Sequence, residues 1–560
     1  MAGSVGLLNI AVSGLTAANR ALTTIGHNVA NVNTVGYSRQ RADIQTRPPQ
    51  LASGSFVGAG VEVVNTRRLY DAFAVNQLRT SSTSVGYADT YHDLAQSLDN
   101  LVADPDTGLN APLQSFFNAT NDLANDPASP AARQALLAEA ESLASRFQTL
   151  DDALADLDRQ VNQRITDAIV EVNSYAKGIA EVNHDILLAK GGADEAQPND
   201  LLDQRDELVR KLAEKVSVSV VAQDDGTISV ATGSGQALVA GTQWNRLVAV
   251  PGTYDSTRTE IGYAAGSQVS NVTSQISGGE LGALVKFRGE LLDRAHNALG
   301  GVAIGLATTF NDQHALGLTL NGQPGSAFFV DLDGPSTEAV LPNPANGVVA
   351  GARAALAVEV TDASKLTTAD YQLSFDGTNY TVTRLSDGTQ VYSGAALPAD
   401  LSATDGIRIS LSGATPVQSG DRFLVRPTRL AARDFERAVN VPAEIAAASG
   451  TGGRGNNENA LALSALRTQP LLDNGNATYE DAYGALIVDV GTKTRQAEVN
   501  QAAQRTLLDE ATRAREVASG VNLDEEAADL MRFQQLYQAN AQVIATANLL
   551  FDTLLQAFTR

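Results

Sequence analysis

The 560-residue chain contains no cysteine. That absence excludes disulfide frameworks, thiolate metal sites and cysteine nucleophiles together, and leaves the redox compartment open. Aromatic residues are scarce at 5%, and basic residues are outnumbered, with 40 Lys and Arg against 63 Asp and Glu for a formal net charge of −23. Such a field repels nucleic-acid phosphates and anionic lipid, so no nucleic-acid partner is expected. No segment approaches the roughly 18–20 consecutive apolar residues that span a bilayer. The stretch Met1–Ile10 has neither the basic n-region nor the apolar h-region of a secretory signal. Neither membrane insertion nor a cleaved signal is expected. At roughly 100–200 residues per domain, the length predicts about three or four domains.

The usual constellations of catalysis are also missing. The five histidines, His27, His92, His184, His296 and His314, lie far apart and form no metal-ligand spacing, so solvated or capping roles are expected. Gly450-Thr-Gly452-Gly-Arg-Gly455 satisfies G-x-G-x-x-G in letter, but no strand precedes it and no helix start follows it closely, which predicts a flexible linker. Asp331-Leu-Asp333-Gly334 opens like a calcium loop, yet Pro335 follows and Pro342 stands where the bidentate glutamate belongs, so a β-turn is expected. The reading is of a protein with no catalytic residues, no metal site and no cofactor.

What the chain does have is heptads at both ends. Leu8, Leu15, Leu22 and Val29, with Ala11, Ala18, Ile25 and Val32 between them, share one helical seam that stops in the Asn- and Gly-rich Asn28–Tyr37 segment. At the other end Leu523, Leu530, Tyr537, Ile544, Phe551 and Phe558 recur every seven residues, with Phe533, Ala547 and Leu554 as companions. Such helices cannot bury a seam alone. Residues 1–79 carry seven basic and three acidic side chains and residues 521–560 carry two and five, so opposite charge modestly favours pairing of the ends. Heptad spacing alone fits an ordinary intramolecular helix pair as well as an assembly surface.

Between the ends, helical spacing covers 86–126, around the Asp104–Gly108 turn, and then a very long helix from Pro130 to Gly191–Gly192. Its seam steps by four twice at Leu157, Val161 and Ile165, a local stutter. A helix over about 200–215 precedes alternation in 216–221 and 227–231 around Asp224-Asp-Gly226, a hairpin signature within a small β insert reaching about Ser277. Helix resumes over 279–315. A second β-rich block spans about 328–427, with Tyr371–Phe375 and Tyr380–Arg384 as its clearest hairpin, and residues 449–457 read as a linker before helix returns. The fold class expected is a multidomain α + β protein. A long-helix coiled-coil rod is formed by both chain ends, and β-rich domains are inserted in the middle. The boundaries expected are a terminal coiled-coil domain of 1–50 with 520–560, disordered in the free monomer; a helical rod of 51–325 with 430–519, carrying the 216–277 insert; and a β-rich outer domain of 326–429.

The stretch Leu15–Tyr37 (LTAANRALTTIGHNVANVNTVGY) resembles the N-terminal signature of bacterial flagellar axial proteins. The C-terminal stretch from Ser519 through Leu555 resembles one branch of them, the hook-associated protein 1 or hook–filament junction (FlgK) family, as do Asp126–Leu137, Pro198–Leu208 and Val218–Thr227. The resemblance covers residues 1 to about 315 and about 455 to 560, and leaves the 328–427 block unassigned. It implies a non-enzymatic protein of the extracellular flagellum, exported unfolded by the flagellar type III apparatus without signal cleavage; the lack of cysteine suits such threading. It further implies self-assembly into a ring or helical layer between the flagellar hook protein and the third hook-associated protein. The assembly residues it implies are Leu8, Leu15, Leu22, Ile25, Val29, Leu530, Phe533, Tyr537, Ile544, Phe551 and Phe558, and an export chaperone would cover Leu530, Phe533, Tyr537, Ile544 and Phe551. Two readings from other classes are a wall hydrolase fused to an axial scaffold, which no catalytic constellation supports, and a surface adhesin or signalling coiled coil.

Overall fold

A computed structural model describes residues 2–52, 55–104, 108–191, 197–450 and 453–558. Helix α1 (Ala2–Ala30) ends in turns through Gly36, whose φ of 84° is open to glycine at little cost. Four strands follow: β1 (Gln40–Thr46), β2 (Gln50–Ala52), β3 (Ser55–Val57) and β4 (Val61–Arg68). β1 pairs antiparallel with β4 from Gln40↔Arg68 to Thr46↔Val61, and β2 with β3 beyond them, making one long hairpin. The hairpin runs back along α1: Gln40 N donates to Asn28 Oδ1 at its root, and Val61 N donates to Ser13 Oγ much earlier in the helix. At Gly60 a Cβ would stand 2.2 Å from Ser13 Oγ, so the close approach itself demands glycine. These strands alternate too weakly to be visible in the sequence, and α1 supplies the surface they pack on.

The helical body consists of α2 (Ala72–Val102), α3 (Asn110–Asn125), α4 (Pro130–Gly191) and α5 (Asn199–Lys215). α2 starts well before residue 86 because the Asp71 carboxylate accepts from Phe73 N and Ala74 N as a cap. The 62 residues of α4 make it roughly 93 Å long at 1.5 Å per residue. Its expected seam is buried from Leu143 to Ile186 except at Tyr175, which is half-buried while Ala176 takes the inward place.

The small insert holds β5 (Val218–Ala222), β6 (Ile228–Thr232), β7 (Ala237–Ala240), β8 (Gln243–Trp244), β9 (Arg246–Pro251), β10 (Thr259–Ala265) and β11 (Gln268–Asn271). They form a β5-β6-β7-β8 sheet and a β11-β10-β9 sheet. α6 (Gly279–Phe287) and α7 (Asp293–Ala315) are joined by a π-helical turn over Arg288–Leu292. The outer block comprises β12 (Val340–Pro342), β13 (Leu356–Val360), β14 (Tyr371–Phe375), β15 (Tyr380–Arg384), β16 (Gln390–Gly394), β17 (Ala399–Leu401), β18 (Ile407–Leu411) and β19 (Arg422–Val425). Its two sheets have the orders β12-β19-β14-β15-β16 and β13-β18-β17, with the expected β14–β15 hairpin in register from Tyr371↔Arg384 to Phe375↔Tyr380. The chain then returns through α8 (Glu458–Ala465), α9 (Tyr479–Ser519) and α10 (Leu523–Phe558), α9 packing on α2 and α10 on α1.

The core of the body is aromatic. Phe328 and Phe329 stack among Phe116, Phe310 and Phe435, so they belong to the helical core rather than to the sheets that follow. Two histidines differ from the solvated or capping roles expected. His314 is fully buried, its Nδ1 2.6 Å from Ser326 O and its Nε2 accepting from Ala446 N, and burial lowers its pKa. His296 is buried beside Asp151 at 3.2 Å, its pKa also lowered by burial. Sequence spacing could not show this, because α7 is buried on most of its faces.

A buried polar network roots the outer block. Arg429, just beyond β19, donates to Asp293 Oδ1 (2.9 Å) on α7 and Asp158 Oδ2 (2.7 Å) on α4. Arg258, from the small insert, also donates to Asp293 (3.0 Å), and Arg426 donates to Asp255 (3.0 Å). Burial pushes the Asp293 carboxyl up, but Arg258 and then Arg429 outweigh it and hold the group well below the usual carboxylate range. Four separate segments thus meet on one charge cluster.

Candidate assembly interface

The terminal helices pack through small residues. Ala11, Gly14, Ala18, Ala21, Ile25 and Asn28 follow a 3-4-3-4 spacing down α1, and a Cβ at Gly14 would stand 2.6 Å from Asn540 Oδ1 of α10. Ala11, Ala18, Ala21 and Ile25 are buried, as is Ala547 on α10. The intramolecular seam is therefore shifted from the leucine row. Leu8, Leu15 and Leu22 lie on its flank half-buried, and Val29 is exposed. On α10, Leu530, Phe533 and Ile544 are half-buried while Tyr537 and Phe551 are exposed; the Phe558 side chain lies outside the described residues. A further row, Leu536, Val543 and Leu550, repeats every seven residues on the exposed surface, with Leu549 beside it 68% exposed. Small residues let the two backbones approach, and the larger apolar side chains are left facing outward.

The root of this pair is a buried, hydrogen-bonded polar cluster. Asn28, 1% exposed, donates to Gln40 O (2.9 Å) and Glu526 Oε2 (3.0 Å) and accepts from Tyr37 OH (2.8 Å) and Gln40 N (2.9 Å). Arg39 donates through Nε to Glu526 Oε1 (2.6 Å) and also pairs with Glu525. Arg515 of α9 donates to Gly36 O (2.6 Å) and Tyr37 O (2.9 Å). Ser38 N donates to Asp203 Oδ2 (2.8 Å) on α5, which with Asp206 also accepts from Arg68 (2.7 Å each). Burial first, then Asp200, Asp203 and Glu526, raise the Tyr37 pKa and keep its hydroxyl a donor. The acidic start of α10 thus meets the basic turn after α1, which gives the charge asymmetry of the two ends a specific address.

Heptad reasoning missed this clasp, since none of its members is apolar. Its residues nonetheless lie in three of the stretches that carried the resemblance: Asn28 and Tyr37 in the first, Asp203 and Asp206 in Pro198–Leu208, and Glu525 and Glu526 in the last. Among the described residues no group of three or more His, Cys, Asp or Glu side chains could hold a metal ion, and no helix is long and apolar enough to cross a membrane. Asp331 behaves as the expected turn, its carboxylate accepting from Asp333 N (3.1 Å) and Gly334 N (3.3 Å).

A helical body with inserted β domains and a pair of terminal helices presenting apolar rows carries, at both of its ends, matches to the bacterial flagellar axial proteins. Residues 8–37 match the flagella basal body rod protein family, and 517–557 match the C-terminal family of the flagellar basal body rod FlgEFG proteins. Residues 95–329 match the helical domain of flagellar hook-associated protein FlgK. The outer block, which sequence reading left unassigned, matches the D2-like domain of flagellar hook-associated protein 1 over 343–427. Flagellar hook-associated protein 1 of Salmonella typhimurium is 38% identical over 98% of this chain and 99% of its own, and that of Escherichia coli K12 is 37% identical over the same shares. The solved flagellar hook junction protein FlgK from Burkholderia pseudomallei superposes with a TM-score of 0.72 at 27% identity, covering 79% of this chain and 99% of that one. The chain belongs to the flagellar hook-associated protein 1 (FlgK) family. It is a structural protein of the flagellar hook–filament junction with a role in motility, and not an enzyme.

Proposed function

We propose that residues 1–50 with 520–560, which include α1 and α10, form the inner coiled-coil layer through which copies of this chain polymerise on the hook tip, and that this terminal domain is disordered in the free monomer and folds on assembly. The observation that carries this reading is the set of exposed apolar rows, Leu536, Val543 and Leu550 together with Tyr537 and Phe551, on a helix pair joined at a polar root. Contacts run to the hook protein on one side and to the third hook-associated protein on the other. Residues 51–325 with 430–519 serve as the rod, and 326–429 face outward. Before assembly an export chaperone covers Leu530, Phe533, Tyr537, Ile544 and Phe551, and the unfolded chain leaves by the flagellar type III route without cleavage. Electron microscopy of cells lacking the gene, with an assay for flagellin monomers in the medium, tests the role. Hooks without filaments and spilled flagellin are expected. Normal filaments, with no second gene copy, would sink the proposal.

A further inference from the structure

The arginines of the β1–β4 hairpin and its flanks fall into two groups. Arg39 pairs with Glu525 and Glu526, Arg47 lies 3.6 Å from Glu62, and Arg68 donates to Asp203 and Asp206 at 2.7 Å each. Arg41 and Arg67 are exposed instead, and among the described residues no carboxylate pairs with either. The strand register sets them directly opposite one another. Like charges facing each other across two strands weaken the pairing, so within one copy this pair costs stability and returns none.

The complementary charge lies at the same level of the molecule. Arg39 N donates to Ser519 O (2.8 Å) and Arg515 donates to Gly36 O (2.6 Å), so the root of the hairpin stands level with the end of α9 and the start of α10. There Asp509, Glu510, Glu516 and Asp524 are exposed, and among the described residues none pairs with a basic side chain. Residues 509–524 set only Arg513 and Arg515 against these four carboxylates, which leaves the stretch acidic. Neither Arg41 nor Arg67 reaches any of the four within one copy. Copies in a single layer are related by rotation about a common axis, and such a heterologous contact joins two different surfaces at nearly one height and closes when the rotation closes. Resting on the polymerisation proposed above, we infer that Arg41 and Arg67 of one copy dock on the acidic α9–α10 junction of the neighbouring copy in the same layer, so that the occupant of this sheet face is a second copy of this chain. An ionic contact of this kind sets the orientation and rate of association more than its strength, and leaves the apolar rows of α10 to supply the buried area.

The chain holds no cysteine of its own, so two introduced thiols report this contact without background. On flagella of cells carrying Arg41→Cys together with Glu510→Cys, a short bismaleimide is expected to give a ladder of two-copy and three-copy adducts, since each copy carries both sides; neither single variant should give one. Arg41→Glu with Arg67→Glu should lower the number of filaments per cell about tenfold or more with secretion of the chain unchanged, because carboxylates then face carboxylates. Asp509→Arg with Glu510→Arg should do the same, and the four substitutions together should restore filaments to within about twofold of the parent. Loss of secretion in a reversed chain would mark a folding defect, and the cross-link then decides. No ladder, or adducts only to a different protein, in cells bearing normal filaments would overturn the docking while leaving polymerisation standing. Full filament numbers in both reversed chains, or no recovery in the combined one, would overturn it too. Normal filaments in cells lacking the gene would remove the polymerisation reading itself.

Discussion

Arg429→Met should destabilise the rod at the root of the outer block by about 3–5 kcal/mol, the cost of removing one partner from a buried ion pair. The Arg429 side chain is 10% exposed and spans Asp293 and Asp158, so its loss leaves Arg258 as the main cation facing both carboxylates. Methionine fills much of the volume, which confines the effect to charge and hydrogen bonds. Trp244, the sole tryptophan, sits in the small insert that also supplies Arg258, so its fluorescence during urea unfolding reports this unit. With a urea slope near the upper value of about 3 kcal/mol per molar, the midpoint should fall by about 1–2 M. The effect has a pH signature. Asp293 has a depressed folded-state pKa, so it contributes stability above the unfolded value of about 3.9, and that contribution is lost as pH falls through the folded value. Removing Arg429 lifts the folded pKa and shrinks the contribution, so the gap between variant and parent must be largest near neutrality and narrow toward pH 4. A difference under about 1 kcal/mol at pH 7, or one that widens on acidification, would refute the account.

Phe551→Asp places a charge on the exposed apolar surface of α10 and should abolish incorporation into flagella while circular dichroism of the central domains stays unchanged; normal incorporation would contradict the assigned surface. Removal of 341–424, bridged at the Val340↔Val425 pair, should leave the helical body at parental stability, whereas removal of 328–427 takes Phe328 and Phe329 out of the helical core and should destabilise it. Thermal unfolding followed by circular dichroism decides between them. Burial first, then its hydrogen bond and repulsion with Asp331, push the Asp333 carboxyl up to about 7. The folded state therefore holds a proton that the unfolded chain releases near pH 3.9, and stability falls as pH rises between about 4 and 7. Asp333→Asn should raise stability at pH 8 by about 1–2 kcal/mol and leave it nearly unchanged at pH 4; equal effects at both values would discount the pair.

Much of the architecture was written in local patterns. The alternation around Asp224–Gly226 specified its hairpin, and the 3-4 spacing from Leu143 to Ile186 specified a single very long helix, because period and turn chemistry act over a few residues. The β1–β4 hairpin was not legible, since its strands draw their stability from α1 and not from an apolar face of their own. The terminal seam was legible as a heptad but not in phase. Leucines mark the strongest pattern, while the contact itself selects Ala11, Gly14 and Ala18, whose size sets how closely the backbones pack.

By itself, then, the sequence determined the alternation of helical and β segments, the amphipathic ends and the family, all properties carried by residues near one another in the chain. Only the tertiary structure decided which side chains the ends hide and which they leave bare. It also brought Asn28, Arg39, Asp203 and Glu526 to one polar clasp, because hydrogen-bond partners hundreds of residues apart are chosen by the geometry of packed helices and leave no periodicity to read.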